Sequence, residues 1–384
     1  MMKLHFSQAL ATVLAAAMIL SLAACGAGNT TANTEAPAAP TETIPQEPAQ
    51  APTEQPAEQP AEQPAEQPTE SVDSLAEYII PWTIDASAQA VENGTMEFYF
   101  MSSHGLQVVT DDSSDQFKWG DSCLIALPGG ETMLIDSGVM GYTRVLLKNL
   151  ERLGVEKLDY VIISHQHSDH TNGLISDGGI LDTMEVGKVY YNALLNEDWS
   201  DPYRLTKRLD SAGVEHEAMY MGDSFTVGDV TVQALWPDPA DGGDTLYSVT
   251  DLNNHSLVVR LDYGEFSALF PGDLYKAGER DVIEQCGDLL DVDLVKIPHH
   301  GHNTSSSSEF GEAVTAEVAV ATGYVGIATA NYYSYSKHGA RVLFDYQDGY
   351  IHISAANDGT FEWETSLERQ TDLYDGLDKA AGLS

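Results

Sequence analysis

The 384-residue chain carries 59 acidic against 18 basic residues, a formal charge of −41 at pH 7. That field argues against a polyanion-binding surface unless a local basic patch or a metal supplies positive charge. Only three cysteines are present, which points to no disulfide framework.

Residues 1–24 read as an export signal. Lys3 precedes an apolar run from Ala9 to Ala24 that ends in Leu22-Ala23-Ala24-Cys25. The run is too short and too Ala-rich for a spanning helix, and small residues before a cysteine suit lipoprotein processing. Cys25 is therefore the expected lipidated N-terminus of a protein exported and lipid-anchored to the outer face of a bacterial cell membrane. Residues 25–73 follow as a linker with nine of the 16 prolines, no Lys or Arg, and a Glu-Gln-Pro-Ala repeat from Glu54 to Glu66. Such a composition buries too little apolar surface to fold and favours extended polyproline II, so about 47 residues reach up to roughly 145 Å at about 3.1 Å each.

Residues 74–384 remain as one α/β domain. Residues 1–73 hold 9 of the acidic and 1 of the basic residues, which leaves 50 against 17 and a formal charge of −33 for the domain. Cys123 and Cys286 are expected to behave as small hydrophobes. Residues 97–101, 122–127 and 132–135 read as strands, 142–153 as an amphipathic helix, and 158–164 as a strand. Asp136, at a strand end before Ser137-Gly138, either orients a ligand histidine or caps a helix.

The stretch Ser164-His165-Gln166-His167-Ser168-Asp169-His170 comes next. Three imidazoles and a carboxylate in six residues are a poor way to build a core, because each would need its own partner if buried. His165 and His167, two apart in an extended segment, project to one side and can share a metal; Asp169 and His170 on the following turn can reach a second. Farther on, 225–236 reads as a hairpin around Gly228-Asp229, 256–262 and 266–270 as paired strands, and 275–285 as a helix. Residues 294–298, 318–322 and 350–354 read as strands, with a helix at about 339–346. Loops at 177–203 and 238–254 are expected to wall the pocket. Two sheets faced by outer helices, with the site along one edge, fit this series.

The His-x-His-x-Asp-His spacing resembles the signature of the metallo-β-lactamase superfamily. Phe270-Pro271-Gly272-Asp273-Leu274 is similar to that family's Gly-Asp motif, and Pro298-His299-His300-Gly301 to its Pro-Gly-His-Gly element. The likeness covers nearly all of residues 95–355 and is closest to the branch that holds the hydrolase domain of DNA-uptake competence proteins and cell-surface phosphorylcholine esterases. It implies a four-layer αββα sandwich. It also implies that His165 and His167 hold one metal, that Asp169, His170 and His300 hold the other, and that Asp273 bridges them. Adjacent residues at a strand end cannot both face one point, so one of His299 and His300 is the ligand; the match favours His300, and the assignment between the two stays open. Asn253-Asn254-His255 stands where lactamases keep a third metal-binding histidine. Whether His255 substitutes for it, or Asn253 and Asn254 bind substrate, stays open too. Asn331 and His338 resemble the branch's late Asn and His-Pro element, with Gly339 in place of proline, and Ser305 opens a run of hydroxyls that can bind substrate oxygens.

The chemistry this resemblance implies is hydrolysis by a hydroxide bridged between two divalent metal ions. Asp169 or Asp273 takes its proton, and His299 or His338 assists the leaving oxygen. Imidazole and carboxylate ligands without thiolate suit Zn²⁺ best, and Mn²⁺ or Fe is compatible with the same residues. The leading expectation is a surface-anchored phosphodiesterase acting on a small phosphodiester or a surface-polymer head group. The alternatives are a single-stranded DNA nuclease linked to competence, a β-lactam, thioester or lactone hydrolase, and a non-catalytic wall-binding domain. A charge of −33 weighs against nucleic acid unless Lys296, Lys337 and Arg341 cluster beside the site.

Overall fold

The computed structural model describes residues 79–101, 120–323 and 327–369; the export signal, Cys25 and the linker lie outside the described residues. The strand Thr95–Phe100 shows how the layers arise. Met96, Phe98 and Phe100 enter one core and Tyr99 enters another, because alternate side chains of a strand leave on opposite faces.

The first sheet runs, in spatial order, Phe361–Thr365, Ile351–Ala356, Thr95–Phe100, Cys123–Ala126, Thr132–Ile135, Lys157–Ile163, Glu185–Tyr191 and Glu215–Ala218. The second runs Arg341–Phe344, Val318–Ala321, Leu294–Lys296, Phe266–Phe270, Val258–Tyr263, Val230–Trp236 and Ser224–Val227. Each sheet has an antiparallel half that passes into a parallel half. Parallel neighbours need crossovers, usually helical. Thr143–Arg152, Ser168–Ile175 and Arg204–Ala212 serve the first sheet, and Lys276–Cys286, Ser308–Val314 and Thr329–Ser336 the second.

Three apolar clusters separate the four layers. Phe98, Phe100, Phe266 and Phe270 lie between the sheets. Val161 and Ile163 pack with Leu146, Leu150 and Leu205 under the first sheet's helices, and Val295 and Ala319 with Val282, Phe310 and Tyr335 under the second's. The result is an αββα sandwich. In both sheets the parallel strands end at the same edge as the histidine cluster, which is where open α/β sheets place ligands.

Some expected elements differ. The helix expected at 339–346 is instead the strand Arg341–Phe344 followed by one turn, Asp345–Asp348. Leu343 joins the core between the sheets while Val342 and Phe344 join the outer one, a period of two that a helix cannot satisfy. The neighbouring helix is Thr329–Ser336, which has no apolar stripe to announce it. The expected loops at 177–203 and 238–254 contain the strand Glu185–Tyr191 and the helix Val249–Asn254.

One ion cluster lies away from the histidine motifs. His352 Nε2 is 2.7 Å from Glu97 Oε2 and Nδ1 is 2.9 Å from Glu364 Oε1, with the ring stacked 4.4 Å from Tyr99. Burial opposes the imidazolium, but the two carboxylates outweigh it and raise the pKa above the ordinary histidine value. A group whose folded pKa is raised contributes fully below the unfolded pKa of about 6.5, and that contribution is lost as pH rises through the folded value. His352→Gln should therefore lower the melting temperature more at pH 6 than at pH 9. Equal losses at both pH values would show that the charge contributes nothing.

Candidate metal centre

Asp136 follows Thr132–Ile135 in a left-handed turn, φ 57°, a conformation that costs a non-glycine residue about 1–2 kcal/mol. Its carboxylate accepts hydrogen bonds from Ser164 N and Oγ, both at 2.8 Å, and lies 2.8 Å from His170 Nδ1. The turn persists because it aims that carboxylate. With Nδ1 committed to Asp136, Nε2 of His170 faces the cluster, the usual way a carboxylate orients a ligand histidine. The helix Ser168–Ile175 that carries His170 packs tightly on the same turn: a Cβ on Gly173 would sit 1.8 Å from Ser137 O.

At the end of Lys157–Ile163, His165 Nε2 and His167 Nδ1 approach to 2.9 Å. Two nitrogens on one tetrahedral Zn²⁺ would lie about 3.3 Å apart, given bonds of about 2.0–2.1 Å, so the pair is close to a ligand spacing. Gln166 between them turns away; its side-chain amide donates to Asn192 O, and its backbone carbonyl accepts from Asn196 Nδ2.

Asp273 follows Phe266–Phe270 and is the centre of the group. Its Oδ2 lies 3.1 Å from His170 Nε2, 3.4 Å from His300 Nε2, 3.8 Å from His299 Nε2 and 4.0 Å from His165 Nε2. Asp169 Oδ2 lies 3.4 Å from His300 Nε2 and 3.8 Å from His170 Nε2. His299 and His300 both occupy left-handed backbone, φ 49° and 55°, a reversal that sends their rings different ways. His300 is buried and inward, with Nδ1 3.1 Å from both Asp121 Oδ1 and Thr322 O. His299 stands at the rim, its Nδ1 2.5 Å from Thr304 Oγ1 and its ring 4.8 Å from Tyr275. Asn331 buttresses this reversal from beneath, Nδ2 donating to Gly301 O at 3.0 Å and His302 O at 2.5 Å.

Other expected site residues lie elsewhere. His255 is not in the donor cluster: Nδ1 is 2.7 Å from Asp251 O, and the ring lies between Trp236 and Tyr247. Asn254 accepts the Gly278 N–H on its Oδ1 at 3.1 Å, which fixes the start of Lys276–Cys286. Asn253 is buried beside Tyr275 at the rim, and its Oδ1 has no partner. Ser305 is buried with its hydroxyl unpartnered. His338 is exposed after Thr329–Ser336, and its backbone N–H bonds Tyr335 O; no ion pair or hydrogen bond joins it to the cluster. Lys296 is 4% exposed and so is not presented at the surface beside Lys337, which bonds Ser308 Oγ, or Arg341.

Sequence reasoning missed Asp121. Its carboxylate comes within 4.8 Å of donor atoms of His170, Asp273 and His300, so it belongs to the same buried group. Its oxygens are nonetheless engaged by His300 Nδ1, Thr322 Oγ1 and Lys296 Nζ. It therefore orients His300 from behind through Nδ1. The only signal was a polar residue at the edge of the predicted strand at 122–127.

The charges sort the histidines. Burial and the neighbouring His170 and His167 push His165 well below its ordinary pKa, burial lowers His167, and burial takes His299 down to about 4. These three present neutral rings. Burial also opposes charge on His170 and His300, but Asp273 leads the carboxylates that hold both well above the ordinary value. The imidazoliums in turn outweigh burial to hold Asp169 down to about 2 and Asp273 well below its usual range. The protein by itself thus keeps two protons among carboxylates where divalent cations would balance the same charge.

The residues fit such ions. The donors are imidazole nitrogens and carboxylate oxygens, and Nε2 of His170, though 3.1 Å from Asp273 Oδ2, is not aligned to hydrogen-bond it and is buried with no such partner. His165 and His167 would hold one ion, and Asp169, His170 and His300 a second, with the Asp273 carboxylate close to His165, His170 and His300.

An αββα sandwich with this carboxylate–imidazole cluster at the ends of its parallel strands defines a class of generally metal-dependent hydrolases. Residues 120–322 match the family model of the Metallo-beta-lactamase superfamily, and the chain belongs to that superfamily. It is 26% identical over 271 residues to ComE operon protein 3 of Bacillus subtilis (strain 168), covering 63% of this chain and 33% of that protein. It is 28% identical over 195 residues to Competence protein ComA of Neisseria gonorrhoeae, covering 50% and 24%. The chain thus spans a third or less of the length of these curated relatives. Among solved structures, the metallo-beta-lactamase fold protein YhfI from Bacillus subtilis aligns with 70% of this chain and 99% of its own, at 16% identity and a TM-score of 0.43.

Proposed function

We propose that the protein is a phosphodiesterase, exported and tethered through Cys25, that hydrolyses small phosphodiesters or phosphodiester head groups on a surface polymer. The observation that carries the reading is the rim. His299, Tyr275 and Asn253 adjoin one another beside Asp273, and all three can bind phosphoryl oxygens. His255, at the position where lactamases keep a third ligand imidazole, is turned away.

Two divalent ions held by this donor set would supply an attacking water at neutral pH and offset charge developing on the phosphoryl group. The remaining roles belong to the chain. In the tautomer whose Nδ1 accepts from the Thr304 hydroxyl, neutral His299 carries its proton on Nε2 and can offer it to a substrate oxygen. Ionised Asp169 and Asp273 are placed to accept a proton. No Ser or Cys nucleophile is required.

A second reading, a nuclease acting on single-stranded DNA, is supported by the relative named as a competence protein. The −33 formal charge of residues 74–384 opposes it, because nucleic-acid binders neutralise phosphates with Lys and Arg. One experiment tests the proposal. Membranes from bacteria producing the full chain, or Cys25→Ser, are assayed on a chromogenic phosphodiester, single-stranded DNA, a β-lactam, a thioester and a lactone at two salt concentrations. The expected result is diester turnover well above that of DNA, membrane-bound in the wild type and released in Cys25→Ser. Efficient DNA cleavage at physiological salt without diester turnover would replace the proposal with the nuclease, and unchanged fractionation of Cys25→Ser would remove the anchor.

A further inference from the structure

Lys296 is a fully buried ammonium group that the functions above leave unused. It ends the strand Leu294–Lys296, four residues before His300, and its side chain is 5% exposed. One hydrogen bond and two ion pairs surround it. Nζ donates to Gly272 O at 3.0 Å, pairs with Asp121 Oδ2, and lies 3.5 Å from Asp273 Oδ1. A buried lysine is tolerated when its charge is paired. Burial opposes the charge, but Asp121 and Asp273 more than compensate, so the group stays an ammonium.

The two oxygens of Asp273 have different surroundings. Among the described residues, every imidazole nitrogen of the cluster that forms an ion pair with Asp273 approaches Oδ2, and the cation that approaches Oδ1 is Lys296. Asp121, on the far side of Lys296, uses its other oxygen to fix His300 Nδ1. Gly272 O, which accepts from Lys296, also accepts the His299 N–H at 3.2 Å. Three chain segments that share no local sequence, at 121, 272–273 and 296–300, therefore meet on one ammonium group.

We propose that Lys296 is a positioning residue, a fixed internal cation that turns Asp273 so that Oδ2 alone faces the metal ligands and that holds His300 in place through Asp121. The inference rests on the metal-centre reading and goes beyond it, because it assigns the geometry of the bridge to a residue that is not a ligand. It also fixes the sign of an effect. If Lys296 mattered only as a charge, its removal would tighten binding of a nearby divalent cation by relieving repulsion. If it positions ligands, removal weakens binding, as loss of an outer partner of a metal ligand does by about 10–100-fold.

The test uses the full chain and Zn²⁺ alone, with affinity and stoichiometry read by competition against a chelator. Lys296→Met is expected to bind Zn²⁺ about 10–100-fold more weakly than the wild type at one or both sites. The Mn²⁺-loaded form should lose the exchange-coupled signal of two ions sharing one oxygen. Lys296→Met leaves Asp121 buried and uncompensated, so Asp121→Asn provides an independent variant; it should weaken Zn²⁺ binding in the same direction by releasing His300. Unchanged or tighter Zn²⁺ binding with an unaltered Mn²⁺ spectrum, in whichever variant folds, would overturn the positioning role. A wild-type chain that takes up no Zn²⁺ would instead overturn the metal centre itself.

Discussion

Asp273→Ala is expected to remove at least one of two metal equivalents and to lower hydrolysis by more than about 100-fold, the upper end of what loss of an outer partner costs. The reason is geometric. Asp273 Oδ2 is approached within 4.0 Å by nitrogens of His165, His170, His299 and His300. No neighbouring carboxylate stands at that point, since Asp169 Oδ2 reaches only His170 and His300, and Asp121 and Asp136 are committed behind the histidines. Alanine would leave the imidazoles without the anion that gathers them, and His170 and His300 would lose the carboxylate that contributes most to their raised pKa values. Metal analysis of the purified variant after reconstitution checks this. Two tightly held equivalents in Asp273→Ala would show that the bridge lies elsewhere.

The paired variants His300→Ala and His299→Ala should separate sharply. His300 is buried, flanked by Asp121 and Thr322 on one nitrogen and by Asp169 and Asp273 on the other. Its removal should cost one metal equivalent and most of the activity, and should leave Asp121 short of a partner. His299 stands at the rim with Nε2 3.8 Å from Asp273. His299→Ala should keep both equivalents while slowing diester turnover by about 10²–10⁴-fold, the range for loss of a proton-transfer group. Metal content and kcat measured side by side decide the matter; loss of metal from His299→Ala with retention in His300→Ala would exchange the two assignments.

Much of this centre is legible in the chain because neighbouring ligands come from short segments. His165, His167, Asp169 and His170 fall within six residues, and the strand Lys157–Ile163 before them and the helix Ser168–Ile175 through them follow from local patterning. The Gly272-Asp273 and His299-His300 pairs follow apolar strands in the same way. Residues whose roles depend on contacts far along the chain were not legible. Asp121 meets His300 across 179 residues and Thr322 across 201, and no local pattern distinguishes it from any other polar residue at a strand edge. Lys296 looked like a surface cation for the same reason.

By itself, the sequence determined the layered α/β architecture, the histidine cluster and its two-ligand spacings, and the acidity that opposes DNA, since each depends on local periodicity or on simple charge. Only the tertiary structure decided that His300 rather than His299 points inward, through left-handed backbone at both positions, and that His255 and Asn254 serve their own loop and helix. It likewise decided that Arg341–Phe344 is a strand, because Val318–Ala321 offers it a parallel edge. Which side chains converge on Asp273 is set by where the two sheets stack, and stacking depends on the whole inter-sheet core rather than on any one segment.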